Sequence, residues 1–380
     1  MKIIVVINHM NVGGIQKSLL QLLKEISKCP QYDISLFCCK ATGTFLDKIP
    51  KSVKIFNENP YAVCTEQPLS NCKSLGKRYY ILRMISSLWS KVFNKALPAF
   101  VLCKLIGQIG EKYDVAISYS QPIDKHAFCN FTNEIVLNCI SADKKISFIH
   151  CDFLNYGGNS KYNRELLCKF DKIAAVSNSV KERLILAEPK LKDRVYTVRN
   201  ITDKEEVLNK ASIDSVKYNK KTLVSVCRLS EEKGVLRTPD IIKSLKDSGV
   251  DFEYHIVGGG PLQKELEKRI SELNLEDTMF LEGETDNPYR YMKNADFLFV
   301  PSYHEAAPIV FDEARALGLA VLTTDTISAK EMVENRGIIC ENEDSEIEKM
   351  LKTALCENHS FDFSEDAEIK PLKEFLELLN

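Results

Sequence analysis

Short apolar, β-branched runs recur along this chain with longer amphipathic stretches between them, and this alternation constrains the fold more than any other feature. Lys2–Ile7 reads as a buried strand, after which Gly13-Gly14 turns the chain into a helix over 15–26. Further strands are expected at 34–38, 115–118, 146–149, 173–176 and 195–198. A second series begins at 222–226 and continues at 252–257, 279–281, 297–300, 320–322 and 338–340. Strands that are apolar along their whole length, alternating with helices, indicate the α/β class with parallel sheets covered on both faces. The two series meet in a polar passage over 200–221, which predicts domains at 1–200 and 201–380. A final helix over 367–379 could pack on either. Each half is expected to be a Rossmann-like open sheet that binds ligands at the carboxyl ends of its strands, with a cleft between the halves as the natural active site.

At 380 residues the chain is longer than one ordinary domain. Its net charge of −2 gives no general attraction to nucleic acid, so none is expected as a partner. Thirteen cysteines include no Cys-x-x-Cys pair. The apolar run at the N-terminus soon meets Asn8, His9 and Asn11, so it lacks the core of a signal peptide. The cysteines therefore read as free thiols in a reducing cytoplasm. No run of about 18 uncharged apolar residues suggests a membrane span.

Four groups of residues carry possible chemistry. Arg228 and Lys233 follow the strand at 222–226, where a guanidinium fork and an ammonium suit a diphosphate; both could equally be solvated surface cations. Gly258-Gly-Gly260-Pro261 follows another strand and fits either close approach to a ligand or a plain tight turn. Glu305-Ala-Ala-Pro-Ile-Val-Phe-Asp-Glu313 places one carboxylate in a loop and another inside a helix that Pro308 is expected to begin at its first position. Neither Ala306 nor Ala307 can cap that helix, so its first N–H groups suit an anion, flanked by carboxylates able to accept sugar hydroxyls. Surface glutamates at such spacing are, however, common. In the first half, Gly13-Gly14 and His150 both fall at strand ends.

Together these pieces resemble the retaining, nucleotide-sugar-dependent glycosyltransferases of the GT-B fold, in the large bacterial group carrying E-x7-E (family 4 type). Glu305 and Glu313 match that motif, Arg228 and Lys233 its R-x4-K element, and Val257-Gly-Gly-Gly-Pro261 its V-G-x-G-P turn. The stretch 283–302, with Asn287-Pro-Tyr289, Tyr291 and Ala295-Asp296, is similar to its nucleotide-side segment. The match is close over 222–333 and looser in the first half, where it rests on Gly13-Gly14, His150 and Val176-Ser-Asn-Ser179. The resemblance implies that Glu313 binds the ribose and Glu305 the donor sugar. It implies that Arg228 and Lys233 neutralise the departing diphosphate with help from the N–H groups near Ile309 and Val310. Gly259 and Gly14 would border the donor, and His150 would sit by the anomeric carbon. The cations would do a metal's work, so neither metal nor cofactor is expected. Two departures stand out: Ala306-Ala307 replaces the common Gly-Phe, and Cys227 replaces the Gly that often precedes the arginine.

Residues 77–109 contain no Asp or Glu but carry Lys77, Arg78, Arg83, Lys91, Lys95 and Lys104 among aromatic and aliphatic side chains. Such a segment suits peripheral contact with an anionic bilayer; the other reading is two core-packing helices with solvated lysine faces. The resulting expectation is a cytoplasmic glycosyltransferase, peripheral on the inner membrane face if the first reading holds. It would move a hexose with retention from a nucleotide diphosphate sugar, of UDP type, to a saccharide or lipid-linked saccharide during synthesis of a surface polysaccharide such as capsule or O-antigen. The rivals are a nucleotide-sugar epimerase or hydrolase of the same fold, and a non-catalytic nucleotide-sugar-binding partner.

Overall fold

The computed structural model describes residues 1–56, 59–363 and 370–380. The chain divides into two compact units, one formed by Met1–Ile201 with Lys370–Asn380 and the other by Thr202–Ile369.

The first unit holds a sheet of seven strands: β1 (Lys2–Ile7), β2 (Asp33–Cys38), β3 (Lys54–Phe56), β4 (Lys112–Ser118), β5 (Ser141–Ile149), β6 (Lys172–Ala175) and β7 (Val195–Thr197). Their spatial order is β3-β2-β1-β4-β5-β6-β7. The second holds six: β8 (Lys221–Val226), β9 (Phe252–Val257), β10 (Met279–Gly283), β11 (Phe297–Val300), β12 (Ala320–Thr324) and β13 (Gly337–Cys340), in the order β10-β9-β8-β11-β12-β13. Every pairing is parallel, as the apolar strands imply. Each expected strand forms within a few residues of its expected bounds; β3, with its exposed Lys54 and Ile55, gave no apolar signal and was not expected. In both sheets the chain winds outward from a central strand and then returns to its other side. The reversal falls between β1 and β4 in one and between β8 and β11 in the other, the switch points at which such sheets bind ligands.

The final helix, Pro371–Leu379, packs in the first unit, where Phe375, Leu378 and Leu379 join the core around Ile3, Val5 and Leu23. Lys144 and Lys172 donate to the carbonyls of Leu379 and Leu378 at 2.7 and 2.9 Å, satisfying acceptors that a helix end leaves open. The expected beginning of this helix at Ala367 lies outside the described residues.

The segment 77–109 forms two helices, Lys77–Val92 and Ala96–Ile106. The core-packing reading fails for the first, whose buried positions are Tyr79, Ser86 and Ser90 while Ile85, Leu88 and Val92 face outward. Two of the six cations are also held by the protein rather than forming a free lysine face. Lys95 is fully buried with Glu134 at 3.4 Å, and Arg83 donates to the Phe128 carbonyl.

Candidate functional site

The second unit gathers its sequence-predicted residues at the switch point, because β8 and β11 are neighbours and the loops beyond both carry them. Arg228 stands just past β8, exposed, and its guanidinium makes no hydrogen bond among the described residues. The glycine turn after β9 positions this loop. Leu229 N–H donates to the Gly259 carbonyl at 3.0 Å, and Cys227 N–H to the Val257 carbonyl at 3.1 Å. A Cβ at Gly258 (φ 143°) would overlap the Cys227 carbonyl oxygen, and one at Gly260 would overlap the Leu229 backbone. Those two glycines are thus required by protein backbone, whereas Gly259 has only the Glu284 side chain within 4 Å. Gly234 (φ 65°) likewise lets the turn carrying Lys233 lie against the Pro301 carbonyl at the end of β11.

That close approach joins the two loops. Lys233 Nζ donates to Glu305 Oε1 at 2.7 Å, and Ser302 Oγ donates to the same oxygen at 2.8 Å. Tyr303 N–H reaches the Glu232 carbonyl at 2.9 Å. Burial works to lower the Lys233 pKa, but the Glu305 carboxylate more than offsets this and the net shift is upward. Burial pushes the neighbouring Cys227 thiol up to about 12, so it is neutral.

Pro308 is extended (φ −67°, ψ 117°) and stands as the cap, so the helix Ile309–Leu317 begins one residue later than expected. Its ring cannot adopt the role of a hydrogen-bonding cap, and no side chain caps this terminus. Phe311 N–H is satisfied by the Pro308 carbonyl at 3.0 Å. The N–H groups of Ile309 and Val310 meet no acceptor among the described residues. Glu313, in the second turn, is 3% exposed and accepts from the Tyr289 hydroxyl at 2.9 Å. Burial and the Glu313 carboxylate together hold the Tyr289 phenol well above its usual pKa, keeping it a donor. An exposed guanidinium, a lysine–glutamate pair and an uncapped helix start therefore surround one strand-end region. A diphosphate with hydroxyl-bearing groups attached is the ligand that chemistry accommodates.

Several supporting residues gave no sequence signal of their own, because they act through space. Asn342 donates to the Tyr303 carbonyl at 3.2 Å and accepts from Arg237 at 2.6 Å, while the Arg237 guanidinium lies 4.6 Å from the Tyr303 ring centroid. Thr324 Oγ1 donates to the Ser302 carbonyl at 2.5 Å. In the stretch 283–302, Asp296 accepts from Thr222 N–H in β8 at 2.8 Å, and Asn287 donates at 3.0 Å to the carbonyl of Lys210 in the helix Lys204–Ala211, so one braces the sheet and the other ties its loop to a helix.

In the first unit, Gly13 is extended and Gly14 opens the helix Gly14–Ile26, again without a side-chain cap. A Cβ on Gly14 would meet nothing within 4 Å among the described residues. Ser18 in that helix lies 2.8 Å from the Tyr119 hydroxyl and donates to Asn200 Oδ1 at 2.7 Å, tying the end of β4 to the helix. His150 follows β5, its N–H donating to Gln121 Oε1 at 3.3 Å. Burial lowers the ring's pKa to about 3, with hydrogen bonding to the Tyr119 backbone pulling weakly the other way, so the ring is neutral near pH 7. Its Nε2 is buried with no partner among the described residues. Glu66, which sequence reading passed over, accepts from Asn8 Nδ2 at 3.1 Å and Asn130 N–H at 3.2 Å beyond β1, and burial raises its pKa.

Comparison with known proteins places these observations. Residues 208–368 match the family described as "Glycosyl transferases group 1". The amylovoran biosynthesis glycosyltransferase AmsK of Erwinia amylovora is 33% identical over 121 residues, covering 30% of each chain. A Campylobacter jejuni protein named as an N-acetylgalactosamine-N,N'-diacetylbacillosaminyl-diphospho-undecaprenol 4-alpha-N-acetylgalactosaminyltransferase is 34% identical over 126 residues, covering 33% of each. The matched stretches thus span about a third of these relatives' lengths. Among solved structures, Anabaena HepE in complex with UDP and glucose superimposes with a TM-score of 0.63 at 17% identity, over 93% of this chain and 92% of that one. At that identity the likeness speaks for the fold alone. Residues 208–368 are thus similar to the glycosyl transferases group 1 family, in a chain with the two-sheet α/β architecture seen in GT-B glycosyltransferases.

Proposed function

We propose that this chain is a retaining glycosyltransferase that moves a hexose from a nucleotide diphosphate sugar, of UDP type, to a saccharide or lipid-linked saccharide acceptor in surface polysaccharide synthesis. The observation that carries the reading is the meeting of Arg228, Lys233, Glu305 and the Ile309–Val310 N–H groups at the β8/β11 switch point. In this reading the diphosphate lies against Arg228, Lys233 and the helix start, whose positive charge stabilises the leaving group as the glycosidic bond breaks. Those groups supply what a divalent metal would otherwise supply, so transfer proceeds without one. Glu313, held by Tyr289, takes the ribose hydroxyls, and Glu305 takes hydroxyls of the sugar. In the amino-terminal unit, Gly14 borders the donor and the neutral His150 contacts the reacting sugar, the roles that the resemblance implies for them.

The UDP preference draws on the UDP named with HepE, and the lipid-linked acceptor on the diphospho-undecaprenol named in the Campylobacter relative. Retention comes from the resemblance of the E-x7-E and R-x4-K elements. The test is to screen nucleotide sugars for a raised unfolding midpoint, then supply the best donor with saccharide acceptors in chelator. Acceptor-dependent product of unchanged anomeric configuration is expected. Donor consumed equally without acceptor would instead identify an epimerase or hydrolase, and no stabilisation by any nucleotide sugar would end the reading.

A further inference from the structure

We infer that the outward faces of the helices Lys77–Val92 and Ala96–Ile106 dock on an anionic phospholipid bilayer, apolar side chains entering the headgroup–acyl boundary and lysines meeting phosphates. This rests on the surface of the amino-terminal unit alone, and it stands or falls separately from the proposed reaction.

The first helix is inside out. Its serines, Ser86 and Ser90, are buried, while Ile81, Ile85, Leu88 and Val92 are 49, 56, 59 and 70% exposed. Spacings of four, three and four residues put those four on one stripe of the helix. The second helix buries Pro98, Ala99, Leu102 and Cys103 but exposes Leu97, Phe100 and Leu105 at 47, 60 and 41%. Where the first helix ends, Trp89 and Phe93 are 41 and 57% exposed, their ring centroids 4.7 Å apart. Single exposed apolar residues need no account, but a sustained stripe on two helices that pack together marks an interaction surface.

Charge selects the occupant. Lys77, Arg78, Lys91 and Lys104 are exposed and form no ion pair among the described residues, and residues 77–109 contain no acid. A second copy of the chain would set these cations against their own kind, whereas an anionic bilayer offers acyl chains to the stripe and phosphates to the lysines. Tryptophan in the last turn of the first helix suits the headgroup level. Among the described residues no helix is long and apolar enough to cross a membrane, so the contact is one of lying on the surface.

Trp89 is the only tryptophan in the chain, so intrinsic fluorescence reports on this surface directly. Adding phosphatidylcholine vesicles containing phosphatidylglycerol should shift the wild-type emission to the blue and carry the protein upward on flotation, with phosphatidylcholine alone much weaker. Ile85→Ser, Leu88→Ser and Phe100→Ser combined should cut flotation at least about tenfold. Lys91→Gln with Lys104→Gln should cut binding to anionic vesicles by roughly fivefold per cation. These positions are exposed, so unfolding midpoints should be unchanged. Unshifted Trp89 emission with anionic vesicles would overturn the inference even if a variant misfolds. So would equal flotation of the apolar triple variant, or a wild-type dimer lost in that variant with no vesicle binding by either.

Discussion

Lys233 and Glu305 are 72 residues apart in sequence, yet the ammonium of one donates to the carboxylate of the other at 2.7 Å. The proposed reading assigns them to different parts of the donor, so a bound diphosphate must compete with Glu305 for this lysine. Glu305→Gln removes the competing charge and keeps the shape. Its UDP affinity should be equal to wild type or a few-fold tighter, while transfer falls by about a hundredfold or more, since binding and leaving-group stabilisation are then separated. Calorimetric UDP titration beside a transfer assay checks this. Lost UDP affinity with intact transfer would reverse the two assignments.

Arg228 is exposed and its guanidinium makes no hydrogen bond among the described residues, so its removal should cost little stability. Arg228→Ala should leave the unfolding midpoint within about 2 °C, as surface substitutions do. Transfer should nevertheless drop by about 10²–10³-fold. Arg228→Lys should recover only part of this, because an ammonium cannot fork to two oxygens. Full activity in Arg228→Lys would mean that only net charge matters there.

Two of the glycines after β9 should separate cleanly. Gly258 holds φ 143° against the Cys227 carbonyl, so Gly258→Ala should destabilise the second unit by about 1–3 kcal/mol from backbone conformation, with the overlap adding to it. Gly259→Ala meets no backbone and should unfold like wild type while weakening donor binding if that residue borders the ligand. Urea unfolding of both variants tests the contrast.

Much of this architecture was legible in sequence because buried parallel strands are apolar through their buried length, as in 3–7 of β1 and in Phe297–Val300. The strand ends then put Arg228, Gly258 and Glu305 beyond the carboxyl ends of neighbouring strands of one sheet. What stayed hidden is set by packing partners distant in sequence. Nothing near Lys233 announces Glu305, and nothing near Tyr289 announces Glu313. The helix Lys77–Val92 is the sharpest case: its amphipathic period was visible, but which face is buried depends on neighbours, and the serine face won. Pro308 read as a first helical residue because its fixed φ fits there, yet its ψ of 117° makes it the cap.

Lys95 illustrates how a charge read as solvated can be structural. Its side chain is fully buried beside Glu134, which also accepts from the Tyr162 hydroxyl at 3.1 Å. Lys95→Met strands a buried carboxylate and should cost about 3–5 kcal/mol, whereas Lys95→Met with Glu134→Leu should recover most of that loss. Equilibrium unfolding of the two variants measures the difference. Equal stability of both would mean that the pair contributes nothing beyond packing.

His150 should make the first unit acid-sensitive. Its folded pKa, about 3, lies below the ordinary value of 6.5, so the unfolded chain binds the extra proton first as pH falls. Stability from this group is therefore fully present above pH 6.5 and is lost progressively down to about pH 3, with a slope of about 1.4 kcal/mol per pH unit for one proton. His150→Gln cannot take up that proton. Between pH 6 and 4 its unfolding free energy should fall less steeply than wild type by close to that slope, even if it starts lower at pH 7. Parallel slopes in urea titrations across this window would mean that the ring is solvated and charges freely, and with it would go the neutral, hydrogen-bonding role proposed for His150 beside the sugar.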